Sequence, residues 1–313
     1  MKKFCVIGSI NIDMVATMPV FPASGQTLTG SSFTTAFGGK GANQAVALAR
    51  LGAPVAMCGK IGADAFGAQY LAEFEKNGVD ASKIGSAEGA TGVAVIEVED
   101  SGANRIVVVP GANGAVDLPY VETLVPRMRE YGYFLYQLEI PLDSVAKAMA
   151  ASQAQGGINV LDPAPARALP DEIYRNVDFI TPNETETAIL TGIKPADGRS
   201  IRRAAGFFFE KGVRNVIIKG GERGSWYLSP REAWWCPPFP LAAVDTTAAG
   251  DSFNAGFVYA LDIGKEPQDA GIFANAVAGL AITKLGAQAA MPSLEETRKL
   301  LLFRPGIVAR PLD

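Results

Sequence analysis

Short apolar runs that end in glycine or polar residues recur along this chain, and most are followed by a stretch with helical spacing. Phe4-Cys5-Val6-Ile7 stops at Gly8, and similar runs occupy residues 55–58, 133–136, 158–161, 177–180 and 213–218. Helical periodicity predicts helices over 45–51, 63–76, 118–131, 142–153 and 201–211, with Phe66, Tyr70, Leu71 and Phe74 turned to the core in the second of these. Repeated strand-then-helix units imply an α/β fold with a mostly parallel sheet covered on both faces. Open sheets of this kind bind ligands outside the carboxyl ends of their strands. The polar residues gather just there: Asn11 and Asp13, Gln137 and Glu139, Asp162, Asn183 to Glu186, and Lys219 to Gly224. Residues 16–37 lack helical period. With two strands over 91–98 and 105–109, joined through Asp100-Ser101-Gly102, they are expected to form a small separate sheet.

Val244-Asp245-Thr246-Thr247-Ala248-Ala249-Gly250-Asp251 reads as a small-residue loop opening a buried helix, because Phe253, Phe257 and Leu261 follow at helical spacing. A helix start offers unpaired N–H groups and the positive end of its dipole, a natural seat for phosphate. An acid at that seat repels phosphate unless it has a task. Asp251 suits a general base that takes a proton from an attacking hydroxyl. The competing reading is a helix cap.

Composition removes other chemistries. The chain has 313 residues and no histidine, which excludes Ser–His–Asp and Cys–His catalysis and any His-ligated metal. Proton transfer falls to a carboxylate, Lys, Tyr or Cys. Three cysteines, Cys5, Cys58 and Cys236, far apart in sequence, suggest buried thiols in a reducing cytoplasm. A net charge of −4 without a basic cluster argues against nucleic acid. The amino-terminal apolar run is too short for a signal sequence, and nothing approaches a membrane span. The length suits one large domain, without repeats or linkers.

A second glycine-rich turn, Gly38-Gly39-Lys40-Gly41-Ala42-Asn43-Gln44, leads into a helix. No Ser or Thr follows Lys40, so it is not a Walker A loop. Gln44 stands where a dinucleotide fingerprint needs its third glycine, which disfavours an oxidoreductase. Lys40 supplies a positive charge and Asn43 an amide that both donates and accepts. Trp234-Trp235-Cys236-Pro237-Pro238-Phe239-Pro240 could form an adenine wall or a partner surface, and is read in preference as an ordinary strand and turn packed beside a nucleotide cleft.

Gly38-Gly39-Lys40-Gly41-Ala42-Asn43-Gln44-Ala45, Asn183-Glu184-Thr185-Glu186 and Asp245-Thr246-Thr247-Ala248-Ala249-Gly250-Asp251 resemble the signature segments of the ribokinase-like (PfkB) sugar kinases, and the similarity runs along essentially the whole chain. The resemblance implies one domain over 1–313, a three-layer α/β/α sandwich with a β-sheet lid drawn from about 15–37 and 91–110, and a homodimer paired through the lids. It implies transfer of the ATP γ-phosphoryl group to a sugar hydroxymethyl, O5 for ribose. Asp251 then matches the catalytic base, and Ala248, Ala249 and Gly250 the anion hole. Asn11, Asp13, Gly39, Lys40, Asn43, Ala94 and Glu139 match sugar-binding positions. Asn183 and Glu186 match the motif that organises phosphates and, through water, Mg²⁺. Lys219, Gly221, Gly224 and Asn275 match ATP-contacting positions, with Lys219 where such kinases often carry Thr. Asp245, Thr247, Ala281, Lys284, Gly286 and Ala290 match a K⁺ site built mostly of backbone carbonyls, with Ala290 at a position usually held by a small polar residue.

Kinases for deoxyribose, another pentose or hexose, or a nucleoside share much of this pattern. An acid at Asp13 favours a sugar that presents a hydroxyll there, since a site built for a hydroxyl rejects analogues lacking it. A non-catalytic sugar-binding protein on the same fold is the rival of another class. An intact Asp251 behind its glycine loop argues against it.

Overall fold

A computed structural model describes residues 2–312. In chain order the elements are β1 (Lys3–Ile7), β2 (Asn11–Met18), β3 (Ser32–Gly38), α1 (Lys40–Arg50), β4 (Val55–Gly62), α2 (Ala65–Asn77), β5 (Asp80–Ala87), β6 (Gly92–Glu99) and β7 (Asn104–Val109). There follow α3 (Leu118–Leu124), β8 (Tyr131–Tyr136), α4 (Leu142–Ala154), β9 (Ile158–Leu161), α5 (Asp171–Arg175), β10 (Phe179–Ile180), α6 (Glu184–Thr191), α7 (Gly198–Glu210) and β11 (Asn215–Lys219). The last are β12 (Ser225–Leu228), β13 (Ala233–Cys236), α8 (Ala249–Asp262), α9 (Pro267–Ala281), α10 (Leu294–Phe303) and β14 (Arg310–Pro311).

The large sheet has the order β14-β13-β12-β11-β10-β9-β8-β1-β4-β5. It is parallel from β5 to β11 and antiparallel over β12, β13 and β14. Strand period explains why both faces are buried. On β1, Phe4 and Val6 join a core with Tyr70 and Phe74 of α2, Phe257 of α8 and Val277 of α9. Cys5 and Ile7 point the other way, into a core with Met149 of α4 and Phe208 of α7. That is a three-layer α/β/α sandwich. From β1 the chain order runs to β4 on one side, and from β8 it runs to β9 on the other. The switch point therefore lies between β1 and β8, where a crevice opens at the strand ends.

A second sheet has the order β3-β2-β6-β7, with β2 and β6 parallel and the other pairs antiparallel. One of its faces is apolar and open to solvent, with Phe33, Val95, Val107 and Val109 exposed on it, while Ile106 and Val108 are exposed on the other. Its β2 starts earlier than expected. Asn11 and Asp13 lie within the strand itself, because two pairing partners, β3 and β6, extend the chain from Asn11 onward.

Other departures have local causes. The helix expected over 118–131 stops at Leu124 and passes into a 3-10 turn over Val125–Glu130, where Pro126 removes an N–H; Tyr131 already belongs to β8. Leu71 is exposed while Tyr70 and Phe74 are fully buried, since the core takes only one stripe of α2. Cys5 and Cys58, distant in sequence, sit on adjacent strands with sulfurs 3.5 Å apart and remain free thiols. Among the described residues no helix is long and apolar enough to cross a membrane.

The small sheet is fastened to the large one by Asn113. This buried amide accepts from Ile10 N–H (2.8 Å) and donates to the Ile10 carbonyl (3.1 Å) and to Asn11 Oδ1 (2.7 Å). Asn113→Ala strands three buried polar groups, so urea denaturation should show a loss of about 2–4 kcal/mol. A variant as stable as the parent would mean that the joint is held elsewhere.

Candidate active site

The loop before α8 presents its backbone to a cavity of about 690 Å³. Ala248 caps the helix in a left-handed conformation (φ 57°), the one described non-glycine residue with positive φ, and it offers no side-chain cap. Such strain is retained where the surrounding structure enforces it. The N–H of Ala249 donates to the Thr246 carbonyl (3.2 Å). Ala248, Ala249, Gly250 and Asp251 all line the cavity.

Asp251 does not cap the helix. Its buried carboxylate accepts from Asn43 Nδ2 and Gln44 Nε2, each at 3.0 Å. Burial pushes its pKa up to about 6, with Lys40 and the two amides pulling down and Asp162 pushing up. Lys40 opens α1. Burial lowers its pKa, but Asp251, Asp162, Glu139 and Glu186 together outweigh that and hold it above the usual lysine value. It is therefore a fixed cation shared by four carboxylates.

Lys40 sits at the amino end of α1 because two glycines let the chain turn there. Gly39 has φ 84°. A methyl on Gly41 would stand 2.7 Å from the Gly8 carbonyl carbon and the Ser9 nitrogen, so this glycine serves close packing of α1 on the end of β1. Glu139, after β8, closes the arrangement: it accepts from the Ser9 hydroxyl and from Lys40 N–H (3.1 Å). Thus the ends of β1 and β8 meet across the switch point. Asp13 faces the same group. Burial, then the nearby charges of Glu139 and Asp251, push its pKa up to about 7. Its register partner on β6 is the buried Ala94. Asn11 is turned inward, with Oδ1 bonded to Asn113.

At the other side of Lys40 and Asp251 the cavity is lined by Asp162, Asn183, Glu186, Lys219, Gly221, Gly224 and Asn275. Asn183 and Glu186 form a reciprocal cap on α6, so Glu186 is held rather than loose on a solvated face. Burial raises the Glu186 pKa; Lys219 opposes this and Asp162 adds to it. Lys219 Nζ pairs with Asp162 Oδ1 at 2.9 Å, and a methyl built on Gly250 would lie 3.4 Å from that nitrogen. Asn275 spends Nδ2 on the carbonyls of Cys236 (2.9 Å) and Pro237 (3.1 Å), which secures the wall formed by Pro238, Phe239 and Pro240. The aromatic stretch is thus a strand, β13, followed by a cavity-lining turn.

Two ammonium groups and a helix start suit a polyphosphate, and the volume suits a nucleotide. Glu186 and Asp162 supply the carboxylate oxygens that a divalent cation on those phosphates prefers. For a monovalent cation, Asp245 Oδ1 accepts from Thr247 N–H (2.9 Å) and hydroxyl (2.6 Å), and Oδ2 from Gly286 N–H (2.9 Å). These bonds outweigh burial and hold its pKa low, so it stays anionic. Ala281 ends α9, and Ala290 is buried with no side-chain oxygen to offer. The Lys284 ammonium turns away to Glu296 (2.8 Å), leaving only its backbone for this loop.

Four residues of the site were given no role from the sequence, although Gln137 and Asp162 stand among the polar residues after strand ends. Asp162, Gln44, Gln137 and Gln288 form one buried network: Gln44 Nε2 also donates to Asp162 Oδ2 (3.0 Å), Gln137 Nε2 to Gln44 Oε1 (2.7 Å) and Gln288 Nε2 to Asn43 Oδ1 (3.1 Å). Their partners lie far away in sequence, so no local spacing marks them.

The pfkB family carbohydrate kinase pattern matches residues 1–294. A ribokinase of Haemophilus influenzae is 42% identical over 301 residues, covering 96% of this chain and 98% of that protein. Among solved structures, Arabidopsis thaliana ribokinase complexed with ribose and ATP superposes with TM-score 0.89 at 32% identity, over 96% of this chain and 99% of that one. Thermotoga maritima ribokinase does so with TM-score 0.88 at 36% identity, over 96% and 100%. With its sandwich, its second sheet and the glycine loop that carries Asp251, the chain belongs to the pfkB family of carbohydrate kinases.

Proposed function

We propose that this enzyme is an ATP-dependent ribokinase, moving the γ-phosphoryl group to the 5-hydroxymethyl oxygen of D-ribose. The observation that carries the reading is the meeting of Asp251 with the start of α8, at the junction of the cavity and the acidic pair Asp13 and Glu139. Ribose bound with ATP in the Arabidopsis relative supports the choice of acceptor.

In this reading Asp13, Asn11, Gly39, Lys40, Asn43, Ala94 and Glu139 bind the sugar, its hydroxyls donating to the carboxylates. Asp251 accepts the proton of the attacking hydroxyl, a task eased by a pKa near neutrality. Lys40, Lys219 and the N–H groups of Ala248 to Gly250, that of Ala249 shared with the Thr246 carbonyl, balance charge on the transferred group. Asn183, Glu186, Gly221, Gly224 and Asn275 hold the nucleotide, and Glu186 orients hydrated Mg²⁺. The bound Mg-ATP supplies the phosphoryl group and neutralises charge between its phosphates. The small sheet closes over the sugar as a lid. Its exposed apolar face pairs with that of a second copy to form a homodimer, since patches of this kind mark interaction surfaces. The buried free thiols fit a cytoplasmic setting.

The decisive assay is ADP release with ribose, 2-deoxyribose, arabinose, fructose and adenosine. Ribose should lead; a nucleoside or deoxyribose leading would overturn the substrate, and silence with sugar still binding would overturn the chemistry. Asp251→Asn should lose about 10²–10⁴-fold in kcat while sugar and ATP still bind. The acid limb of kcat/KM should lie between about 6 and about 7, because protonation of Asp251 and Asp13 as pH falls removes the base and an acceptor. K⁺ should raise the rate over Na⁺ through the Asp245 and Gly286 loops, and equal rates in the two salts would remove that site from the mechanism. Val107→Glu should convert the dimer to a folded monomer in sedimentation; a persisting dimer would assign the interface to another face.

A further inference from the structure

We infer that Gln288 is a positioning residue that orients the catalytic base and the sugar-side strand from one amide group. It is buried in the turn over Gln288–Ala290, and no part of it lines the nucleotide cavity. Nε2 donates to Asn43 Oδ1 at 3.1 Å and to the Tyr70 hydroxyl at 2.8 Å. Oε1 is buried with no hydrogen-bond partner among the described residues. An amide kept with an orphaned oxygen is there for its two N–H donors.

The direction of every bond in this chain is determined. The Tyr70 hydroxyl donates its only proton to the Gly38 carbonyl. Toward Gln288 it can only accept, so Nε2 must face it. The second Nε2 proton then meets Asn43 Oδ1. With its oxygen engaged there, Asn43 must turn Nδ2 to Asp251, whose carboxylate can only accept. One branch thus fixes the amide that holds the base. The other fixes the backbone of Gly38, the last residue of β3, against which the Asp13 carboxylate rests: a methyl there would collide with both carboxylate oxygens.

Loss of Gln288 removes the donor that pins Asn43 Oδ1, so the Asn43 amide is no longer held from behind and its Nδ2 bond to Asp251 weakens. That bond favours the charged form of the base, so its pKa rises. The other ionisable groups facing Asp251 are Lys40 on α1, Asp162 after β9, Asp13 on β2, Tyr70 on α2 and, through Asp162, Lys219 on β11. Of these groups the substitution removes a partner only from Tyr70, and Tyr70→Phe isolates that change, so a shift seen in Gln288→Met and not in Tyr70→Phe reports the Asn43 amide.

The inference rests on Asp251 as base. The test compares pH profiles of kcat and kcat/KM, with ribose and Mg-ATP, for Gln288→Met and Tyr70→Phe. Gln288→Met keeps the length without the donors; it should lower kcat about tenfold or more and move the acid limb to higher pH. Tyr70→Phe removes only the hydroxyl on the sugar-side branch; it should raise the ribose KM several-fold with the acid limb where the parent has it. An unmoved limb and unchanged kcat in Gln288→Met would overturn the inference. Should that variant not fold, Tyr70→Phe decides: a moved limb or an unchanged KM overturns it. Activity retained by Asp251→Asn would instead remove the base assignment, a failure distinguishable from either result.

Discussion

Negative charge taken out of water has to be met by donors and cations, and that requirement organises the molecule around Asp251. Asp13, Glu139, Asp162 and Asp251 converge on one region together with Lys40 and Lys219. Lys40 stands at the positive end of α1, where a cation is disfavoured by the helix dipole. The surrounding carboxylates reverse that penalty. In turn the lysine opposes the upward pull of burial on Asp13 and Asp251. Asn43 and Gln44 follow on the same first turn and supply the amide protons that the carboxylates lack.

The sheet makes this convergence possible. Because strand order departs in opposite directions from β1 and β8, the segments leaving them diverge and their ends stay uncovered. Ser9 and Glu139 meet in that gap, and α1 starts over it. Two strands of the small sheet, β2 and β3, are inserted between β1 and α1, so Asp13 arrives on a strand of its own. A loop would have offered less control over its direction. The same layout places α8 opposite α1, each with its amino end at the site.

Much of this was legible in the sequence. The strand at Ile158–Leu161 begins and ends as its apolar run does, and Phe253 and Phe257 are buried as their spacing requires. Where local signal and tertiary demand disagreed, the tertiary demand prevailed. Asp80–Ala87 forms an edge strand from a small and polar segment with no apolar run, because β4 offers it a partner. At Phe179–Ile180 the strand is shorter than its apolar stretch. Helix α9 went unanticipated, its small apolar residues giving no amphipathic contrast since nine of its positions are buried. In the site, residues with a motif around them were found, Asp251, Lys40 and Asn183 among them. Asp162, Gln44 and Gln288 were not, because their meaning lies in partners 118, 207 and 245 positions away.

The absence of histidine has a consequence outside catalysis. In most proteins imidazoles absorb and release protons around neutrality. Here the described side chains whose pKa values are drawn to about 6 and about 7 are Asp251 and Asp13. Side-chain buffering near neutral pH, among the described residues drawn to these values, therefore lies in the cleft. Ligand arrival there would be felt by the solution as proton exchange, so the heat of binding carries the ionisation enthalpy of whichever buffer surrounds the enzyme.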